Sequence, residues 1–126
     1  MQTVSRFPRF IAAMTGIALV GTGAWALIAP HSFYDVAATF PVYNRHFVHD
    51  IGAFVAALGS ALLISLRVRR GLTVALAANT VAAVLHAVSH IVDRDAGGKA
   101  TDPVFFVVVA AILAIAAAQA MREDSR

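Results

Sequence analysis

The stretch Tyr43–Gly52, YNRHFVHDIG, decides how this chain is read, because it sets His46, His49 and Asp50 at the start of an apolar run that lasts to Leu66. Residues three and four apart on a helix are neighbours, so this spacing puts His46 beside both His49 and Asp50 on one face. Further along, LHAVSHIVD at Leu85–Asp93 closes the next apolar run, with His86 and His90 one turn apart and Asp93 just beyond them. If the two runs are antiparallel neighbours, both groups lie at one end and form a single polar site.

The rest of the chain says in what solvent such a site would sit. Its 126 residues suit one domain, and a composition 60% hydrophobic and 13% charged is too apolar for an ordinary soluble domain of this size. The expected solvent is the bilayer. The formal net charge of +3 comes from Lys and Arg gathered near the ends of apolar runs, with no basic stretch interleaved with aromatics, so nucleic acid is not an expected partner. There is no cysteine, which excludes disulfides, thiolate metal sites, iron–sulfur clusters and cysteine nucleophiles.

Four spans are predicted, roughly 10–29, 46–66, 72–92 and 103–121, each long enough to cross ~30 Å of hydrocarbon at ~1.5 Å per residue. The first has a signal-like AWA at 24–26, but its apolar run exceeds a usual signal core, so it is read as a retained helix ended by Pro30. His31–Arg45 mixes aromatics with Pro41 and reads as an interfacial loop containing at most a helical turn. Arg67, Arg69, Arg70 and Gly71 make a basic hairpin, and DRDAGGKATD a polar loop before the last span. The fold class expected is therefore all-α, an up-and-down four-helix bundle in the membrane.

Seven Lys and Arg residues fall on the side of the termini (Arg6, Arg9, Arg67, Arg69, Arg70, Arg122 and Arg126) against three on the other (Arg45, Arg94 and Lys99). The positive-inside rule then puts both termini in the cytoplasm of a cell-membrane protein, and His31, His46, His49, His86 and His90 at the outer end. Small residues at Gly52, Ala56, Gly59 and Ser60, and at Ala75, Ala78 and Ala82, are expected to let the second and third spans approach closely. Gly16 and Gly23 in the first span, and Ala110, Ala114 and Ala118 in the fourth, offer similar surfaces.

Ionisable groups within a membrane face the bundle interior and find partners. Neutral imidazoles and carboxylates suit zinc, copper or iron, and an i, i+4 histidine pair is a recurrent helical chelate. The expected ligands are His46, Asp50, His86 and His90, with His49 and Asp93 as candidate catalytic proton carriers. A bis-histidine haem and a metal-free polar cluster are the alternatives. Ser89 is expected to bond to its own backbone rather than act as a nucleophile.

Tyr43, Asn44, His46, Asp50 and Gly52 opening one span, with His86 and His90 closing the next, resemble the YN-x-H-x-x-x-D-x-G and H-x-x-x-H pattern of small uncharacterised actinobacterial four-helix membrane proteins. His49 is additional to that pattern. The resemblance implies fold and topology and carries no activity. Two kinds of function lead: a metal-dependent redox or hydrolytic protein acting on apolar, lipid-like molecules, or a metal-free accessory or structural subunit of a larger membrane complex, with a homo-oligomer as an alternative assembly. A haem-bearing electron carrier is a third.

Overall fold

Long runs of Ala, Leu, Val and Ile broken only by Pro and polar clusters give long helices and little else. In the computed structural model, which describes residues 5–68 and 71–125, these are α1 (Arg6–Ile28), α2 (Pro30–Val36), α3 (Arg45–Ser65), α4 (Gly71–Val92) and α5 (Asp102–Asp124), with no strand among the described residues. The four long helices are each long and apolar enough to cross a membrane. Arg69 and Arg70 of the basic hairpin, and Arg126 of the tail, lie outside the described residues.

The helices overrun the apolar stretches, because hydrogen bonding and not hydropathy ends a helix. α1 starts at Arg6, ahead of Phe10, with Pro8 in the first turn, where its missing N–H has no intrahelical partner to lose. α5 continues past Met121 to Asp124. Pro30 ends the first span as expected, and also opens α2, seven residues where only a turn was anticipated. Phe33 drives that helix down, buried edge-on against Trp25 with ring centroids 5.4 Å apart. The start of α3 is fixed by Asn44, whose Oδ1 accepts the Phe47 N–H at 3.1 Å and so satisfies one of the free donors of the first turn.

The pairing of the helices departs from the expectation that the second and third spans are the close neighbours. α1 packs along α3, and α4 along α5, while α3 and α4 touch far less. The glycines explain this. A Cβ on Gly23 would fall 2.6 Å from both Ala56 N and Gly52 O, and one on Gly59 would fall 2.7 Å from Gly16 O and Val20 N. Gly16 and Gly23 thus face Gly59 and Gly52, and the small face of α3 is spent on α1. In a bilayer, where no hydrophobic force favours one apolar neighbour over another, such backbone approach decides which helices pair.

The two pairs join mainly toward the end where the chain begins and finishes. One core there takes Ala12 from α1, Leu62 from α3, Leu72 and Leu76 from α4, and Leu113 and Ala116 from α5. Its rim is hydrogen-bonded: Ser5 N–H to Glu123 at 2.9 Å, Arg9 to Leu66 O at 3.2 Å, and Thr73 Oγ1 to Asp124 at 2.6 Å. Asn79, buried, donates to Ala75 O at 3.0 Å and reaches Leu58 O of α3 at 3.5 Å. At the opposite end, the second core among the described residues is smaller, with Ala26, Phe33 and Val48 buried and Trp25, Ala38 and Tyr43 packed against them, all in the α1–α2–α3 half.

Two neighbouring glycines therefore respond oppositely to alanine. Gly23→Ala costs about 1–3 kcal/mol by overpacking, whereas Gly21→Ala, with nothing within 4 Å of the added methyl, is neutral or stabilises by up to ~1 kcal/mol through helix propensity. Thermal unfolding in detergent, followed by circular dichroism, measures both.

Candidate functional site

The groups singled out in the sequence lie at the end of the molecule away from the termini, on two different helix pairs. His46 and Asp50, one turn apart on α3, pair with each other, Nε2 to Oδ2 at 3.5 Å, and both side chains are largely exposed. On α4, His86 and His90 meet edge to face with ring centroids 4.7 Å apart. Among the described residues, no three His, Asp or Glu side chains come together as a group able to hold a metal ion, so His46, Asp50, His86 and His90 are not gathered in this conformation. The α1–α3 and α4–α5 pairing is the reason: the α4 histidines meet what α5 offers.

α5 offers Asp102 and Phe106. Asp102 Oδ2 lies 3.9 Å from His90 Nδ1, with the two side chains only 20% and 12% exposed. The same carboxylate oxygen accepts the Lys99 backbone N–H at 2.8 Å, which fixes its position at the head of α5. One turn along, Phe106 lies edge-on to His86 at 4.2 Å and stacks on His90 at 4.6 Å with the rings 29° apart. The i, i+4 spacing from Asp102 to Phe106 on α5 thus matches the i, i+4 spacing from His86 to His90 on α4.

The roof comes from the other half of the chain. Phe40, in the segment between α2 and α3, approaches His90 edge-on at 6.0 Å. Gly97 and Gly98 take φ of 139° and 82°, a region side chains rarely adopt, and let the α4–α5 loop fold under that phenylalanine. A Cβ on Gly98 would fall 3.2 Å from Asp102 Oδ2 and 3.3 Å from Phe40 Cζ. His90 is therefore boxed by two phenylalanines, a histidine and a carboxylate, while His86 keeps an exposed side.

The other candidates sit apart from this group. Among the described residues, the side chains of His49 and Asp93 make no hydrogen bond or ion pair with the protein; Asp93 is exposed just past α4. Ser89 Oγ donates to His86 O at 2.8 Å, the backbone bond expected of it. His31 stacks on Tyr43 at 4.0 Å and Tyr34 lies edge-on to Tyr43 at 5.1 Å, an aromatic cluster next to the α1–α3 half. The Tyr43 hydroxyl is buried without a hydrogen-bond partner among the described residues. Asp102 and Phe106 were missed in the sequence. Their signal is positional: an Asp-Pro pair heading the last span, followed one turn later by an aromatic.

Comparison with known protein families, curated proteins and solved structures finds no match to this chain.

Energetic coupling follows the geometry. A double-mutant cycle between His90→Ala and Asp102→Asn gives an interaction energy of about 0.5–3 kcal/mol, while one between His46→Ala and His86→Ala gives less than ~0.5 kcal/mol. Unfolding of the four single and two double variants supplies both numbers.

Proposed function

We propose that this chain is an up-and-down four-span protein of the cell membrane, with both termini cytoplasmic, that binds a transition metal ion at its outer end through His86, His90 and Asp102. The observation that carries the reading is the 3.9 Å between His90 Nδ1 and Asp102 Oδ2. That separation is too long for a hydrogen bond. Two ligands bonded at ~2.0–2.1 Å to one tetrahedral ion stand roughly 3.3 Å apart, so a shift of about half an ångström brings the pair to a shared ion. As they stand, the three side chains do not form a metal-holding group; His86, one turn from His90 with ring centroids 4.7 Å apart, would have to turn toward the ion to supply the second nitrogen of a helical chelate.

The donor set of two imidazoles and one carboxylate fits zinc, and also iron or copper, better than a hard ion such as magnesium. With three protein ligands, such an ion keeps an open position for water or a substrate atom, the feature that separates a catalytic from a purely structural site. His90 and Asp102 would hold the ion from the enclosed side, while His86, exposed on one flank, leaves the open position facing outward. His46 and Asp50 form a separate pair on α3, available to a second ion or to the approach of substrate. Phe40 and Phe106 exclude water from the inner face and suit an apolar, lipid-like molecule. The seven Lys and Arg residues on the side of the termini against three on the other support the orientation of this reading.

The competing account has the same contacts serving only to fasten α4 to α5, with Phe106 clamping two imidazoles. Elemental analysis of protein purified without added chelator separates the two. About one zinc, copper or iron per chain is expected, lost in His90→Ala and in Asp102→Asn and retained in His46→Ala. A metal-free protein whose melting is unmoved by chelator or by added zinc supports the fastening account instead. A Soret band would point to haem, which the phenylalanine packing around His90 leaves little room for.

A further inference from the structure

Where α4 ends, a half-open cleft of about 360 Å³ lies beside His90, lined by His90, Arg94, Asp95, Gly97, Lys99 and Pro103 among others. That size falls at the small end of ligand pockets, ~300–1,000 Å³. Two full cations face it against one carboxylate, and among the described residues neither Arg94 nor Lys99 enters an ion pair. Asp95, close by in the chain, neutralises neither of them. The cleft also lies just past Val92 and ahead of Asp102, between the ends of two helices long and apolar enough to cross a membrane. In a bilayer this is the depth of the phosphate groups.

We propose that this cleft binds a phosphate-bearing anion, held by Arg94 and Lys99 with His90 as a hydrogen-bonding wall. Arg supplies a planar pair of donors matched to two phosphate oxygens, and Lys a point charge on a mobile stem, the usual division of work in phosphate sites. The left-handed glycines at 97 and 98 keep the loop compact, so that residues 94 and 99 border one space although helix end and loop separate them. Asp95 opposes the anion and sets a ceiling on its affinity. The site requires no metal at His86 and His90, so it stands or falls apart from the metal reading.

The chemistry has two sources, a phospholipid head group within the membrane or a free phosphate compound from the aqueous side. The full chain, reconstituted in nanodiscs of phosphatidylcholine with a minor fraction of phosphatidylglycerol, is examined by native mass spectrometry for retained phosphatidylglycerol. In parallel, inorganic phosphate is titrated into protein in pure phosphatidylcholine while the His90 ring signals are followed by NMR. Arg94→Gln with Lys99→Gln should weaken whichever binding occurs by about 10-fold or more, and Asp95→Asn should tighten it severalfold. Arg45→Gln, a cation on α3 outside the cleft, should leave it unchanged.

Retention of phosphatidylglycerol assigns a lipid occupant, and phosphate-induced shifts without lipid retention assign a soluble one; either supports the proposal when the double variant abolishes it. Equal retention of the two lipids together with no response to phosphate overturns it. So does binding that Arg94→Gln with Lys99→Gln leaves intact. All variants alter exposed residues, and unchanged helical circular dichroism establishes that they fold.

Discussion

The closeness of α1 to α3 is the constraint from which the histidine end of the molecule follows. Gly16 and Gly23 meet Gly59 and Gly52 with backbone against backbone, at separations no side chain could enter. Having given its small face to α1, α3 has none left for α4, and α4 takes α5 as its partner. Helix pairing in lipid turns on such contacts, since apolar area alone gains nothing by leaving one hydrocarbon neighbour for another. The histidines of α4 then lie against Asp102 and Phe106 of α5, and His46 of α3 is left exposed beside Asp50.

The two ends of the protein are held differently. At the terminal end, Ser5, Gln119 and Glu123 bond together, Arg9 binds the last turn of α3, and Thr73 binds Asp124. All four long helices share a core just inside that rim. At the histidine end the halves meet through aromatic and glycine contacts: Phe40 on His90, and Gly97 against Thr39. Stacked and edge-on rings tolerate small displacements far better than a hydrogen-bonded rim does, because their attraction is broad in angle and distance. A site that must close by a fraction of an ångström on a ligand is better placed at such an end.

Much of this was legible in the amino-acid order. The four apolar runs, their approximate limits and the polar character of one end are written in hydropathy and in the positions of five histidines. Neighbour choice was harder to read, because small residues occur on every span and each could serve any partner. A sharper signal was present: Gly16 and Gly23 stand as far apart in the chain as Gly52 and Gly59 do, a match that an antiparallel pair would use. Asp102 escaped notice for a different reason. Alone before a proline at the head of a span, it looks like a helix-start residue, and only the pairing of α4 with α5 brings it to His90. His46 and Asp50 were correctly recognised as a local pair, since i, i+4 proximity needs no tertiary information.

The central claim is that His86, His90 and Asp102 act as one ligand set. Anomalous diffraction from crystals of the protein grown with zinc, measured on both sides of the zinc absorption edge, addresses it most directly. The account predicts one strong peak at the α4–α5 end, within bonding distance of both imidazoles and the Asp102 carboxylate. A peak confined to His46 and Asp50, or none near the two α4 histidines, would contradict it.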